Sequence, residues 1–160
     1  MPTGYIATRS SRGMVSWRRT RVLLEGAGRY WIATTDADGR PHLVQQWGAW
    51  LDDCLYFEGS PKTRWARNLA RDARLAVSVE RGTEIVILEG IAEAIARPER
   101  ALAERISRTY GTKYGRTYRY RPKPDQWDEN GLYVLRPAKA FAWDVKTFSR
   151  SPTRFVFSRT

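Results

Sequence analysis

The sequence predicts an α+β domain built on a small antiparallel barrel of six to seven strands, and three observations carry that expectation. Short β-branched and aromatic runs follow one another through tight turns at Asp36-Ala37-Asp38-Gly39, Asp52-Asp53 and Arg81-Gly82. Such turns join antiparallel neighbours. Only three stretches carry helical spacing, so helices accompany the strands without alternating with them. Several strand runs are apolar on both faces, more than a barrel interior requires, which predicts that one outer face is covered by a second copy in a homodimer.

The elements follow in order. Residues 1–15 are polar, basic and aperiodic and are expected to form a basic N-terminal arm, leaving 16–160 as one domain, as a length of 160 residues suits. From Ser16, the residues Trp17, Val22, Leu23 and Leu24 fit a short amphipathic helix stopped at Gly26-Ala27-Gly28. Tyr30 to Thr35 reads as a strand, and Gly39 takes the left-handed position of the turn that starts its antiparallel partner, Pro41 to Leu51. Cys54 to Glu58 is a third strand. Ser60 suits a helix N-cap and Pro61 the first helical position, with the helix running to about Arg71.

Leu75 to Glu80 and Glu84 to Ile95 are a further pair of strands, the second interrupted by Gly90, which predicts a bulge or bend. Pro98 opens a helix whose Leu102, Ile106 and Tyr110 share a face and which Gly111 ends. Lys113 to Lys123 then alternates basic and aromatic residues in a predicted loop. Gly131 to Leu135 begins a sixth strand, Pro137 implies an edge or bend, and Phe141 to Trp143 resumes it. Thr153 to Phe157 is a last short strand with Arg154 and Val156 opposite its two phenylalanines.

Composition excludes several chemistries. One histidine, His42, and one cysteine, Cys54, do not assemble the common zinc sets, and a catalytic triad would have to use His42 without a nucleophile-elbow sequence. A single cysteine permits no intrachain disulfide, no apolar run spans a bilayer, and no signal-like segment opens the chain, so a cytoplasmic protein is expected. The formal charge of +11, from 28 basic against 17 acidic residues, favours phosphorylated or polyanionic partners, although an arginine- and alanine-rich composition accounts for part of it. Seven tryptophans suggest apolar surface reserved for a ligand or a second subunit.

The chemistry concentrates between Gln45 and Asn68. Gln45 and Gln46 place two amides mid-strand, where each needs a partner. Gly59-Ser60-Pro61 leads into a helix with Lys62, Thr63 and Arg64 in its expected first turn, where amides, helix dipole and cations together make an anion cradle suited to a phosphate. The same residues also read simply as a well-capped helix start.

These pieces, with Trp31-Ile32-Ala33-Thr34, Asp38-Gly39-Arg40-Pro41-His42, Trp47-Gly48-Ala49-Trp50, Leu55-Tyr56-Phe57, Lys62-Thr63-Arg64, Arg67-Asn68-Leu69, Glu89-Gly90 and Thr153-Arg154-Phe155, resemble the split β-barrel flavin and deazaflavin oxidoreductases, of which pyridoxamine 5′-phosphate oxidase is the best-known member. The resemblance covers roughly residues 25–157. It implies a homodimer with two cofactor sites at the interface, FMN or coenzyme F420 as cofactor, and hydride transfer to or from a small unsaturated molecule. Carried over by position, Gln45, Gln46, Trp47 and Gly48 would line the cofactor ring, Phe57, Glu58 and Ser60 would flank the ribityl chain, and Lys62, Thr63 and Arg64 would hold the phosphate. Asn68 would brace the loop, and Trp143 and Arg154 would approach from the second subunit.

The C-terminal segment does not reproduce the arginine-rich substrate motif of members acting on pyridoxine phosphate, so that activity is not expected. The Trp47-x-x-Trp50 strand looks more like a branch that uses F420, whose acidic tail the 113–123 loop could meet. Tyr114, Tyr118 or water is the expected proton donor. The alternatives are a cofactor- or haem-binding protein without turnover and a nucleic-acid-binding module using the Arg and Tyr alternation of residues 113–123.

Overall fold

In the computed structural model, which describes residues 12–129 and 131–157, eight strands form one antiparallel sheet. The arm expected over 1–15 lies mostly outside the described residues. The strands are β1 Tyr30–Thr35, β2 Pro41–Gln46, β3 Gly48–Leu51, β4 Cys54–Glu58, β5 Arg74–Arg81, β6 Glu84–Ile95, β7 Leu132–Asp144 and β8 Thr153–Val156. The helices are α1 Trp17–Gly26, α2 Arg64–Arg71 and α3 Arg100–Tyr114, with a 3₁₀ segment Pro124–Glu129.

The strand order is β2-β1-β5-β6-β7-β4-β3, with β8 paired to β7. The two ends of this order, β2 and β3, are consecutive in the chain and meet at Trp47, so the sheet curls back on itself as a split barrel. Pro41 to Leu51 is thus two strands where the sequence predicts one. Up to Gln46 the chain pairs with β1, and from Gly48 it pairs with β4. The hydrophobic alternation carries no mark of the change, because β strands of either partner have the same period.

Local signals fix most of the remaining elements. Ser16 caps α1 by accepting from the Arg19 N–H, and Tyr30 beneath it donates to the Leu24 carbonyl at 2.6 Å. Gly39 takes φ +80° in the β1–β2 turn. At the β3–β4 turn Asp52 and Asp53 have φ of 51° and 56°, the left-handed pair that a two-residue hairpin demands. Arg105 on α3 holds that turn through a fork of bonds to Asp52 at 2.7 and 2.8 Å.

Helix α3 starts at Arg100, with Glu99 at the cap position, and not at Pro98. Three further boundaries differ from the expectation. Helix α2 begins at Arg64, with Thr63 and not Ser60 as its N-cap, because Ser60 to Thr63 closes a separate turn through the Thr63 N–H and the Ser60 carbonyl at 3.0 Å. Helix α3 runs through Gly111 to Tyr114, since tertiary packing of Tyr110 and Tyr114 outweighs the glycine penalty of about 1 kcal/mol. Lys113 and Tyr114 are therefore helical and not part of a loop. Finally, β7 continues through Pro137, whose missing N–H falls where the β6–β7 register shifts beside Gly90.

The core has two parts. Leu23 and Leu24 of α1 and Trp65, Ala66 and Leu69 of α2 pack on the inner face of the sheet, over Ile32, Val77, Leu88 and Phe57. Ile106, Tyr110 and Tyr114 of α3 pack with Ala49, Tyr56, Val134 and Trp127 as a second cluster.

The Gly90 bulge is the tightest glycine position in the sheet. A Cβ there would stand 2.1 Å from the Arg136 carbonyl oxygen and 2.7 Å from Pro137 Cα. Gly90→Ala is therefore expected to destabilise the fold by about 1–3 kcal/mol or more, the range for overpacking, measured as a lowered urea midpoint.

Candidate functional site

The strand change at Trp47 creates a local problem of hydrogen bonding. The Trp47 carbonyl and both polar groups of Gly48 lie where the chain leaves one partner for another. Helix α3 supplies their partners from one face, at spacings of three and four residues. Tyr110 Oη donates to the Trp47 carbonyl at 3.2 Å, and Tyr114 Oη accepts from the Gly48 N–H at 2.9 Å. The Gly48 carbonyl accepts from Tyr114 Oη and from Lys113 Nζ, each at 3.1 Å. Gly48 itself leaves no room for a side chain, since a Cβ would lie 2.8 Å from Leu55 Cδ1 and 3.0 Å from the Tyr56 carbonyl oxygen.

The Trp47 ring stacks on Tyr114 at 4.5 Å and 9°, with Tyr118 at 4.7 Å and Tyr120 at 5.7 Å. Part of the predicted basic and aromatic loop thus folds over Trp47. Burial drives the Tyr114 hydroxyl up to about 12, and both of its bonds go to Gly48, so Tyr114 is built into the bend rather than offered as a proton donor. Tyr118 is 45% exposed, its hydroxyl accepting from Arg29.

Gln45 and Gln46 take opposite faces, as neighbours in a strand must. Gln46 turns inward. With its amide oriented to suit its neighbours it donates to the Glu58 carbonyl at 3.2 Å and accepts from Trp65 Nε1 at 3.0 Å. Gln45 is exposed on the outer face opposite Trp31. From there a cross-strand row runs Gln45, Trp31, Ser78, Ile87, Phe141, Arg154 across β2, β1, β5, β6, β7 and β8. Directly paired residues share a face. Leu43 at 60%, Val156 at 69% and Trp31 at 41% exposure belong to the same face, as does half-buried Trp143, which meets Phe148 edge-on at 6.3 Å. The structure therefore brings Gln45, Trp143 and Arg154 onto one largely apolar sheet face.

The turn before α2 holds the other predicted group. Ser60 and Lys62 are exposed, and Lys62 forms no ion pair among the described residues. The Lys62 N–H donates to Ser60 Oγ at 3.2 Å and the Ala66 N–H to Thr63 Oγ1 at 3.4 Å, so part of the expected amide cradle is satisfied internally. Arg64 bonds Asp36 at 2.8 Å, tying the start of α2 to the β1–β2 turn. Asn68 is buried and donates to Thr34 Oγ1 at 3.0 Å, bracing α2 on β1. Phe57 is fully buried between Trp65 and Tyr133, so only its backbone can face a ligand.

Glu58 closes the site on the α3 side. Its Oε2 accepts from Tyr120 Oη at 2.9 Å and from Gln126 Nε2 at 3.3 Å, while no cation pairs with it among the described residues. Burial raises its carboxyl above the ordinary value, with the two hydrogen bonds opposing. The Tyr120, Gln126 and Lys113 contributions were not legible in the sequence, because each depends on where α3 and the following 3₁₀ segment settle.

A curled antiparallel sheet whose end strands meet at one bend, with helices on its flanks, defines a split β-barrel. Residues 16–144 match the family described as pyridoxamine 5′-phosphate oxidase, and the chain belongs to that family. Among solved structures it is similar to a conserved hypothetical protein, Rv2991, of Mycobacterium tuberculosis, at 24% identity and TM-score 0.72, covering 88% of this chain and 91% of that one. It is also similar to an F420 reductase, at 22% identity and TM-score 0.58, covering 75% and 94%. A heme binding protein of Mycobacterium smegmatis matches at 17% identity and TM-score 0.65, covering 85% and 55%. No curated protein matches the sequence.

The raised Glu58 carboxyl fixes the sign of one stability effect. The folded chain holds that proton more tightly than the unfolded chain, so the contribution is full below the ordinary glutamate range and is lost as pH rises through the folded value. Glu58→Gln, which keeps an acceptor for Tyr120, is expected to raise the urea midpoint at pH 7. The gain should shrink towards pH 4, which paired unfolding curves at the two pH values measure.

Proposed function

We propose that this chain is an oxidoreductase that binds FMN or F420 at the interface of a homodimer and passes a hydride between the cofactor ring and a small unsaturated molecule. The observation that carries the reading is the outer-face row from Gln45 to Arg154, which aligns residues expected to reach one cofactor from two subunits across exposed apolar surface. Membership of the pyridoxamine 5′-phosphate oxidase family and the likeness to an F420 reductase support it.

The cofactor would supply the redox chemistry, and the protein binding, orientation and exclusion of water. Lys62 is the cation available to a phosphate, whereas Arg64, already paired with Asp36, would hold the turn in place. Gln45 offers an amide to the ring edge. A second subunit over Trp31, Ile87 and Phe141 would shield that region from water, strengthening its polar contacts. Tyr118, with its exposed hydroxyl beside Trp47, is better placed than Tyr114 to give a proton to product.

Two outcomes test the reading. Lys62→Ala is expected to weaken FMN or F420 binding roughly ten- to a hundredfold, a charge-assisted contact being worth about 1.5–3 kcal/mol, with the unfolding midpoint unchanged; equal titrations of variant and native protein would remove Lys62 from the site. Ile87→Glu, at the centre of the apolar row, is expected to convert a dimer into monomer by light scattering. The absorption spectrum of the purified protein with each cofactor added separates the alternatives, since a Soret band without flavin or deazaflavin uptake would point to haem.

A further inference from the structure

The ammonium of half-buried Lys113 is a polar group at the strand bend that the proposed chemistry leaves unused. It lies partly buried between three pieces of chain, and its three N–H bonds meet three neutral acceptors: the Ala27 carbonyl at 2.8 Å, Tyr30 Oη at 3.0 Å and the Gly48 carbonyl at 3.1 Å. It also stands 5.2 Å from the Tyr30 ring centroid, within reach of a cation–π contact. No carboxylate bonds it among the described residues. An ammonium kept in such a place without a counter-ion is costly, and a shorter apolar side chain would fill the space more cheaply. Its geometry serves the bend: each bond ends on a different piece of chain, namely the α1–β1 linker, β1 and the first residue of β3.

We propose that Lys113 is a positioning residue for the cofactor wall, its ammonium locking the Gly48 carbonyl and so the orientation of the Trp47–Gly48 peptide against which the cofactor ring lies. This rests on the reading that Gln45, Trp47 and Gly48 line that ring. Tyr110 and Tyr114 complete the clamp by holding the Trp47 carbonyl and the Gly48 N–H. With all three in place the peptide plane cannot rotate without breaking several buried hydrogen bonds, so the wall is set before any ligand arrives, which lowers the ordering cost of binding.

The clamp has a pH signature. Burial lowers the Lys113 ammonium to about 8, with Glu25 on α1 acting in the opposite direction. The other titratable groups against it are Tyr30 of β1 and Tyr110 and Tyr114 of α3, all held above the ordinary tyrosine value by burial, so they stay protonated through that range. Neutral Lys113 has two N–H bonds for three acceptors. The ordered bend therefore loosens as pH rises through about 8. Global stability moves the other way: the unfolded chain keeps the lysine proton up to its ordinary value, so stability rises between about 8 and that value. Cofactor affinity and stability are thus expected to diverge, which a purely structural lysine would not produce.

Three measurements on the full-length protein decide it. The Gly48 amide resonance in ¹H–¹⁵N spectra is expected to titrate near pH 8 in native protein and to lose that transition in Lys113→Met, which keeps the apolar stem. FMN or F420 affinity, whichever the native protein binds, is expected to fall several-fold from pH 7 to 9 in native protein; in Lys113→Met it should be about tenfold weaker at pH 7, as loss of a charged hydrogen bond implies, and flat with pH. Tyr114→Phe, which retains the stack on Trp47, should weaken binding while leaving the pH dependence. A Gly48 resonance that does not titrate, or an affinity in Lys113→Met equal to native with the same pH profile, overturns the clamp. Native protein that takes up neither cofactor overturns the functional reading instead, and the proposal with it, whatever the Gly48 resonance does.

Discussion

The structure depends on one constraint: a strand that must leave its first partner and join another without stranding its backbone. At Trp47 the chain passes from β2, paired with β1, to β3, paired with β4. The sheet curls because those two strands are one stretch of chain. Backbone groups at such a junction lack ladder partners, and a buried unpaired amide or carbonyl costs about 1–3 kcal/mol. Helix α3 meets that need with Tyr110 and, one turn further on, Lys113 and Tyr114. The position of α3 is therefore part of what closes the barrel.

The remaining features follow from closure. Curling the sheet turns one face inward, where α1 and α2 cover it and Phe57, Leu88 and Ile32 disappear from solvent. The outer face keeps Trp31, Leu43 and Val156 exposed. Where β6 and β7 bend to follow the curl, the register slips at Gly90 opposite Pro137, a glycine and a proline sharing one irregularity because neither could fit a regular ladder there. The hairpin turns at Gly39, at Asp52-Asp53 and at Gly82 take the left-handed conformations that strand twist requires.

The candidate site is divided between residues that face solvent and residues that hold them. Lys62, Ser60 and Gln45 are open to a ligand, while Gln46, Asn68, Arg64 and Thr63 are engaged in bonds that fix the turn and the α2 start. Residues chosen by family position thus fall into two roles that sequence position does not distinguish. Glu58 stands between them, its carboxylate held by Tyr120 of the expected basic loop and by Gln126 of the 3₁₀ segment that follows it.

What the sequence determined by itself was whatever depends on a few adjacent residues. Periodicity placed the strands, Ser16 and Gly39 set a cap and a turn, Gly90 marked the bulge, and the alternation in Thr153 to Phe157 put Arg154 outward. The α+β split barrel was legible because consecutive hairpins constrain pairing. Only the tertiary structure decided where Pro41 to Leu51 changes partner, that Thr63 and not Ser60 caps α2, that α3 passes through Gly111, and that Lys113 points inward. The Thr63 cap follows from a local turn closed by Ser60, whereas the other outcomes set a weak local preference against contacts from residues tens of positions away, and packing of Tyr110, Lys113 and Tyr114 against the strand bend outweighs the single glycine at 111.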